Sequence, residues 1–453
     1  MRFHFVEQGD TSAGKRRAVR SHVMKGKNAG RVLPPRSRSQ KNSKHSTEDK
    51  PEDSRRTPPD GVISAMRRLA GSDFSIIAPG IEMSPHTRLL FNQYFHIVAD
   101  AIYPPELCQS TDPMKSMWFE FLLNEKSSVF HIALSMTATA LDFFQQTRRE
   151  STQALMHTTQ ACAMLNQRLS GEEAVSDLSI ALACMFVVQE SLLGDTDKYR
   201  MHVHGLDRMI ELRGGIKVFA DYPDMAQKIY RGDLQFALHT GCQPLYYYDG
   251  WPVEVISDES PTHDRITGPL LEIFENAPYA TRQLVGNVES FAETLRQAEK
   301  GSKVAPHDFQ AMVISVCYRL LRFQHLEGHL LNVVEQEACY TGLVAFASSL
   351  LLQFGRQRHL RYDLLSRRLK QALFGVEFDP EFPPSASFWL LILGGISVFE
   401  VEEHVWLLPM ISELGQRMGL RDWESARVEL LRFPWIDAIH NAKGETLWTK
   451  SQR

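Results

Sequence analysis

From residue 86 to about residue 450 the apolar residues recur at helical spacing almost without a break, and a chain of that kind buries them only by packing helix on helix. TRLLFNQYFHIVADAIY, MKSMWFEFLL, SVFHIALSMTATALDFFQQT, ALMHTTQACAMLNQRL, DLSIALACMFVVQESLL and DMAQKIYRGDLQFALH follow one another with short polar breaks. A second block runs through TRQLVGNVESFAETLRQAEK, a long stretch over 307–354 read as continuous helix, and closing pieces rich in tryptophan. Asp112-Pro113 and Ser176-Asp177 have the chemistry of helix starts: a capping side chain, then Pro or Asp in the first turn. The one strand-like run, 245–257, is interrupted by Pro252. The expected fold class is all-α: a large multi-helix domain of antiparallel helices over 86–450, with a subdivision near 247–261.

Residues 201–216, MHVHGLDRMIELRGGI, read as one amphipathic helix with a defined end. Val203, Leu206 and Ile210, with Met209 beside them, form the apolar face, and Asp207, Arg208 and Glu211 lie largely opposite. Gly214 and Gly215 follow the last periodic residue, where a left-handed cap favours a residue without Cβ, and Arg213 sits where the helix dipole favours a cation. On physical grounds this is a packed helix and nothing more.

The string His202-x-x-Gly205-Leu206-x-x-Met209-Ile210-x-Leu212-Arg213-Gly214-Gly215 resembles the helical regulatory domain that follows the zinc cluster in many fungal transcription factors. Other stretches agree in order. Residues 154–169 resemble the helix before that family's "sD-x-x-I" step, here Ser176, Asp177 and Ile180. Residues 230–244 resemble its "r-x-D-x-x-x-A-x-x-x-G-x-x-P" segment and contain Asp233 and Pro244. Residues 388–435, with Trp389, Trp423 and Trp435, look like its closing helices, and Phe5-Val6 with Arg17, Arg20, Ser21, His22, Val23 and Met24 resemble the opening of members without a zinc cluster. The resemblance implies an all-helical, non-enzymatic regulatory protein of the nucleus, working with other transcription regulators or by self-association. The family's zinc cluster needs six cysteines within about thirty residues, and here no cysteine precedes Cys108.

Charge is unevenly placed. Residues 1–47 hold twelve Lys or Arg against Glu7 and Asp10, so with −4 overall the remainder carries about −14. Residues 1–60 hold Pro34, Pro35, Pro51, Pro58 and Pro59 and few core-forming residues after Met24, which predicts a largely disordered basic arm; 61–85 read as a linker. Lys15, Arg16, Arg17 and Arg20, then Lys25, Lys27 and Arg31, are spaced for a nuclear import signal or for weak, salt-sensitive, non-specific contact with DNA phosphates. A solvated tail is the plain alternative.

The cysteines are scattered, mostly within apolar runs, and read as buried thiols in a reducing compartment. MRFHFVEQGD lacks the apolar core of a secretory leader, and no apolar run approaches the roughly 20 residues of a membrane span, so no membrane partner is expected. His325 and His329 in HLEGH would share a helix face at i and i+4, but Glu327 points elsewhere and no third ligand is apparent; no metal and no cofactor is expected. Arg231-Gly232-Asp233 is a chance tripeptide within a helix. Phosphate-binding glycine loops and nucleophile elbows are missing, so no catalytic residue is assigned. The tryptophans Trp389, Trp406, Trp423 and Trp435 read as core; a cleft for a small apolar effector is the functional alternative. The competing function is a helical interaction scaffold or small-molecule sensor with no direct role on DNA.

Overall fold

Capping chemistry starts a helix at Ser176-Asp177 and ends one at Gly214-Gly215 as expected, whereas Asp112-Pro113 lies outside the described residues. The computed structural model describes residues 90, 102–110, 121, 126–144, 151–246, 268–328, 331–351, 360, 362–376 and 381–453. The chain separates into two units, Met1–Thr57 and Pro58–Arg453, and the first lies wholly outside the described residues, as does the expected linker. The described helices are α1 (Lys126–Phe144), α2 (Thr152–Leu169), α3 (Asp177–Leu193), α4 (Thr196–Arg213), α5 (Pro223–Thr240), α6 (Pro269–Ile273) and α7 (Tyr279–Glu299). They continue as α8 (Pro306–Phe323), α9 (Val334–Ser348), α10 (Asp363–Val376), α11 (Pro384–Ser397), α12 (His404–Arg417), α13 (Trp423–Leu430) and α14 (Asp437–Ser451). Extended pairing among the described residues is limited to an isolated bridge between Cys108 and Val304, so the all-α reading holds.

Ser176 caps α3 by accepting from the Ser179 amide at 3.3 Å, and Asp195 caps α4 by accepting from the Lys198 amide at 3.2 Å. Gly194 and Asp195 alone connect α3 to α4, and the two helices pack on each other, so the chain reverses there into an antiparallel pair. Neighbours α1 and α2, and α9 and α10, pair in the same way. Helices α3, α9 and α11 are buried around most of their circumference, which is why their sequences are apolar without strong periodicity. Helix α11 is the hub of the C-terminal half, touching α9, α10, α12, α13 and α14. The expected division near 247–261 falls outside the described residues; α5 before it packs directly against α8 and α10 after it.

The end of α4 is built as its sequence implies. Gly214 and Gly215 have φ of 114° and 90°. The Gly215 amide donates to the Ile210 carbonyl at 2.9 Å and the Gly214 amide to that of Glu211 at 3.0 Å, the paired bonds of a Schellman stop. A Cβ at position 214 would also stand 3.2 Å from Val218 Cγ2. Gly214→Ala is therefore expected to cost about 1–2 kcal/mol, read from the urea midpoint at constant m; an unchanged midpoint would show that the cap contributes nothing.

One expected element is broken. The stretch read as continuous helix over 307–354 is two helices, because α8 stops at Phe323 and α9 begins at Val334. His325 to Gly328 lie in the connection rather than on a helix; His329 is outside the described residues. The cause is tertiary. Arg368 on α10 donates to the carbonyls of His325 at 3.2 Å and Leu326 at 2.7 Å, oxygens that a continuing helix would have used itself.

Candidate functional site

Three of the motif segments meet where α3, α4 and α5 pack. Arg213, the last residue of α4, donates to Asp177 Oδ1 at 2.6 Å and to the Val175 carbonyl at 2.5 Å, joining the end of one motif to the helix start in another. Both side chains are partly exposed, so the pair fixes orientation more than it adds stability. Leu206 and Met209 face the core, whereas Leu212 is exposed and a Cβ on Gly205 would meet open space. Helix α3 is tied to α1 and α2 by a buried polar net. Ser135 Oγ donates to Gln189 Oε1 at 3.0 Å, and Gln189 Nε2 donates to Thr158 Oγ1 at 2.9 Å and Thr139 Oγ1 at 3.3 Å.

The third motif forms a clasp. Asp233, buried on α5, accepts from the Leu245 amide at 2.9 Å, the Tyr246 amide at 3.0 Å and Tyr318 Oη at 2.6 Å. Burial pushes its carboxyl up to about 6, against the pull of those donors. Between the clasped ends, Gly241 closes α5 at φ 83°, where a Cβ would fall 2.2 Å from Leu364 Cδ2 and 2.7 Å from Glu327 Cγ. Its carbonyl accepts from the Glu327 amide at 3.0 Å. Pro244 is half-buried in the same loop. Arg231 and Asp233 are both buried, which removes any adhesive reading of that tripeptide.

Of the four tryptophans read as core, Trp389 and Trp435 are fully buried, whereas Trp406 and Trp423 are partly buried and pack against the core. Trp389 stacks on Phe433 with centroids 5.3 Å apart and donates to the Pro434 carbonyl at 3.1 Å. Trp435 donates to Asp437 Oδ1 at 3.1 Å and lies against Trp423, which itself donates to Asn441 Oδ1 at 2.9 Å. His440 sits under this cluster: its Nδ1 accepts from the Ile436 amide at 3.0 Å, which leaves Nε2 to donate to Ser349 Oγ at 2.9 Å. Burial holds the imidazole down to about 3 from an ordinary 6.5. Between those values the unfolded chain binds a proton that the native state refuses, so this contribution is intact above pH 6.5 and is lost as pH falls. His440→Gln should flatten the loss of stability between pH 6.5 and 4; an unaltered pH profile would contradict the assignment.

Sequence reading missed two charged features. One is the buried ion pair of Glu337 and Arg368, both 5% exposed and 2.7 Å apart between Oε1 and Nε. The other is Glu289, which lies on the apolar face of α7 among Val285, Val288 and Ala292; a carboxylate on that line was the available signal. It lines a cavity of about 410 Å³ with Gly268, Glu272, Glu293, Arg296 and Arg432. A second, shallower cavity of about 360 Å³ is lined by Gln283, Asn287, Arg319, Arg322 and Phe323. Neither cavity is lined by a tryptophan.

All six cysteines are free, four of them buried. Among the described residues no group of three or more His, Cys, Asp or Glu could hold a metal ion, and no described helix is long and apolar enough to cross a membrane. Lys15, Arg16, Arg17, Arg20, Lys25, Lys27 and Arg31 lie outside the described residues. The motif residues that come together are thus fasteners, each engaged with another part of the chain. Residues 88–240 match the family model of the fungal specific transcription factor domain. No curated protein and no solved structure matches the chain.

Proposed function

We propose that this chain, whose residues 88–240 match the fungal specific transcription factor domain, is a transcription-regulatory protein of the nucleus, acting through its helical body and protein partners without enzymatic chemistry. The family match carries the reading. Two further observations support it. The motif residues Asp177, Arg213 and Asp233 are spent on internal contacts, leaving none of them as an acid, base or nucleophile facing a cavity. The basic segment 1–47 sits on a chain whose remainder is acidic, so attraction to phosphates is concentrated in that segment. In this mechanism the basic clusters supply nuclear entry and loose attachment, specificity comes from a partner, and the helical body presents the regulatory surface.

Fluorescence anisotropy of a DNA duplex across a salt series, with the full chain and with residues 48–453, tests the arm. The full chain should bind with steep salt dependence and no sequence preference, and the shortened chain should lose at least ten-fold in affinity at low salt. Fluorescent fusions of the same two chains report on entry. A nuclear signal unchanged by the deletion, together with equal DNA affinity, would overturn the proposed role of the basic clusters.

A further inference from the structure

The cavity beneath α7 holds a charge imbalance that the fold leaves open. Two cationic side chains line it, and both are already matched. Arg296 donates to Glu293 Oε2 at 3.0 Å and to the carbonyls of Leu431 and Phe433 at 3.2 Å, and Arg432 donates to Glu429 Oε2 at 2.9 Å. Three carboxylates line it as well: Glu293 is taken up by Arg296, whereas neither Glu272 nor Glu289 forms an ion pair among the described residues. Glu289 is the unusual one: its residue is 8% exposed, and its buried Oε2 has no hydrogen-bond partner. A carboxylate withdrawn from water and left without a donor is costly, and native proteins rarely retain one without a use. Gly268 permits the placement, since a Cβ there would stand 2.9 Å from Glu289 Oε1. The volume of about 410 Å³ is in the range of small-molecule sites.

We infer that this cavity is a binding site for a small organic cation, whose ammonium or guanidinium group pairs with Glu289 at the floor while Glu272 attracts it at the rim. Glu293, Arg296 and Arg432 complete the charged wall, and the partly buried Leu431 offers apolar surface to an alkyl stem. The site stands on its own geometry and does not rest on the nuclear role proposed above. Burial raises the Glu289 carboxyl to about 7, with Arg296 lowering it in part. The free site is thus half-protonated near neutrality, and a cation displaces that proton.

Titration calorimetry on the full chain with n-butylamine and agmatine, using n-butanol as the uncharged control, tests the assignment. Both amines should bind saturably at pH 8 and n-butanol should not. Affinity should fall about ten-fold between pH 8 and pH 6 as Glu289 takes up its proton. Glu289→Gln should weaken amine binding at least ten-fold and remove the pH dependence without lowering the urea midpoint of the free protein. Glu272→Gln, at the rim, should weaken binding two- to five-fold and serves if the first variant folds poorly. A peptide carrying a single lysine separates the two sources of an ammonium group: weaker binding than agmatine is expected, and a peptide that binds while both free amines fail would overturn the small-molecule assignment. Equal amine affinity in the wild type and Glu289→Gln, or no saturable amine binding at pH 8, would overturn the site itself.

Discussion

Replacing Arg368 with methionine is expected to lower the free energy of unfolding by about 3–5 kcal/mol, because it leaves the Glu337 carboxylate buried without its cation. Glu337 would retain the Leu331 amide at 2.9 Å, Gln324 Nε2 at 3.3 Å and Thr341 Oγ1 at 3.3 Å as donors, which is too little for a charge so far from water. The connection between α8 and α9 would lose the two guanidinium bonds to the carbonyls of His325 and Leu326 as well. Most of that cost comes from isolating one partner, so the double variant Glu337→Leu/Arg368→Met should recover more than half of it. Urea unfolding followed by far-UV circular dichroism measures all four corners of the cycle. A single-variant loss below about 1 kcal/mol would show that the pair is solvated in the native ensemble.

Asp233→Ala should cost about 2–4 kcal/mol at neutral pH, since it leaves the Tyr246 amide buried without its acceptor, removes the carboxylate to which Tyr318 Oη donates and frees the Leu245 amide. Tyr318→Phe removes one donor and should cost about 1 kcal/mol. The pH dependence has a definite sign. The native carboxyl takes its proton at about 6 and the unfolded one near 3.8, so this group favours the native state below 3.8 and loses that contribution as pH rises through 6. His440 acts in the opposite sense over the same interval. Asp233→Ala should therefore steepen the net gain of stability with rising pH that remains from His440, and a flatter profile in the variant would contradict the assignment.

Helix boundaries governed by neighbours in sequence were readable from sequence. Ser176 and Asp177 start α3 and Gly214 stops α4 through contacts within five residues. Val203, Leu206, Met209 and Ile210 are buried as their spacing requires, and Trp389 and Trp435 are core. What failed was governed from a distance. The break after Phe323 is held by Arg368, more than forty residues on, and Gly328 in HLEGH is only a weak local signal for it. The resemblance singled out Asp177, Arg213 and Asp233 without saying that two of them pair and the third fastens a loop to α8. Glu289 was in view on an apolar helix face, but its cavity exists only once 431–434 come to lie beside α7.

The clasp at Asp233 also bears on how the molecule could be divided. The family match ends at residue 240, yet every donor to the Asp233 carboxylate belongs to chain beyond that point: Leu245, Tyr246 and Tyr318. A fragment cut at the edge of the match would keep a carboxylate designed for burial and discard what makes burial tolerable, along with the α8 and α10 surfaces that cover α5. The boundary of sequence likeness is therefore not a line of excision, and the smallest autonomous piece of this chain that contains the matched domain must extend at least through α10.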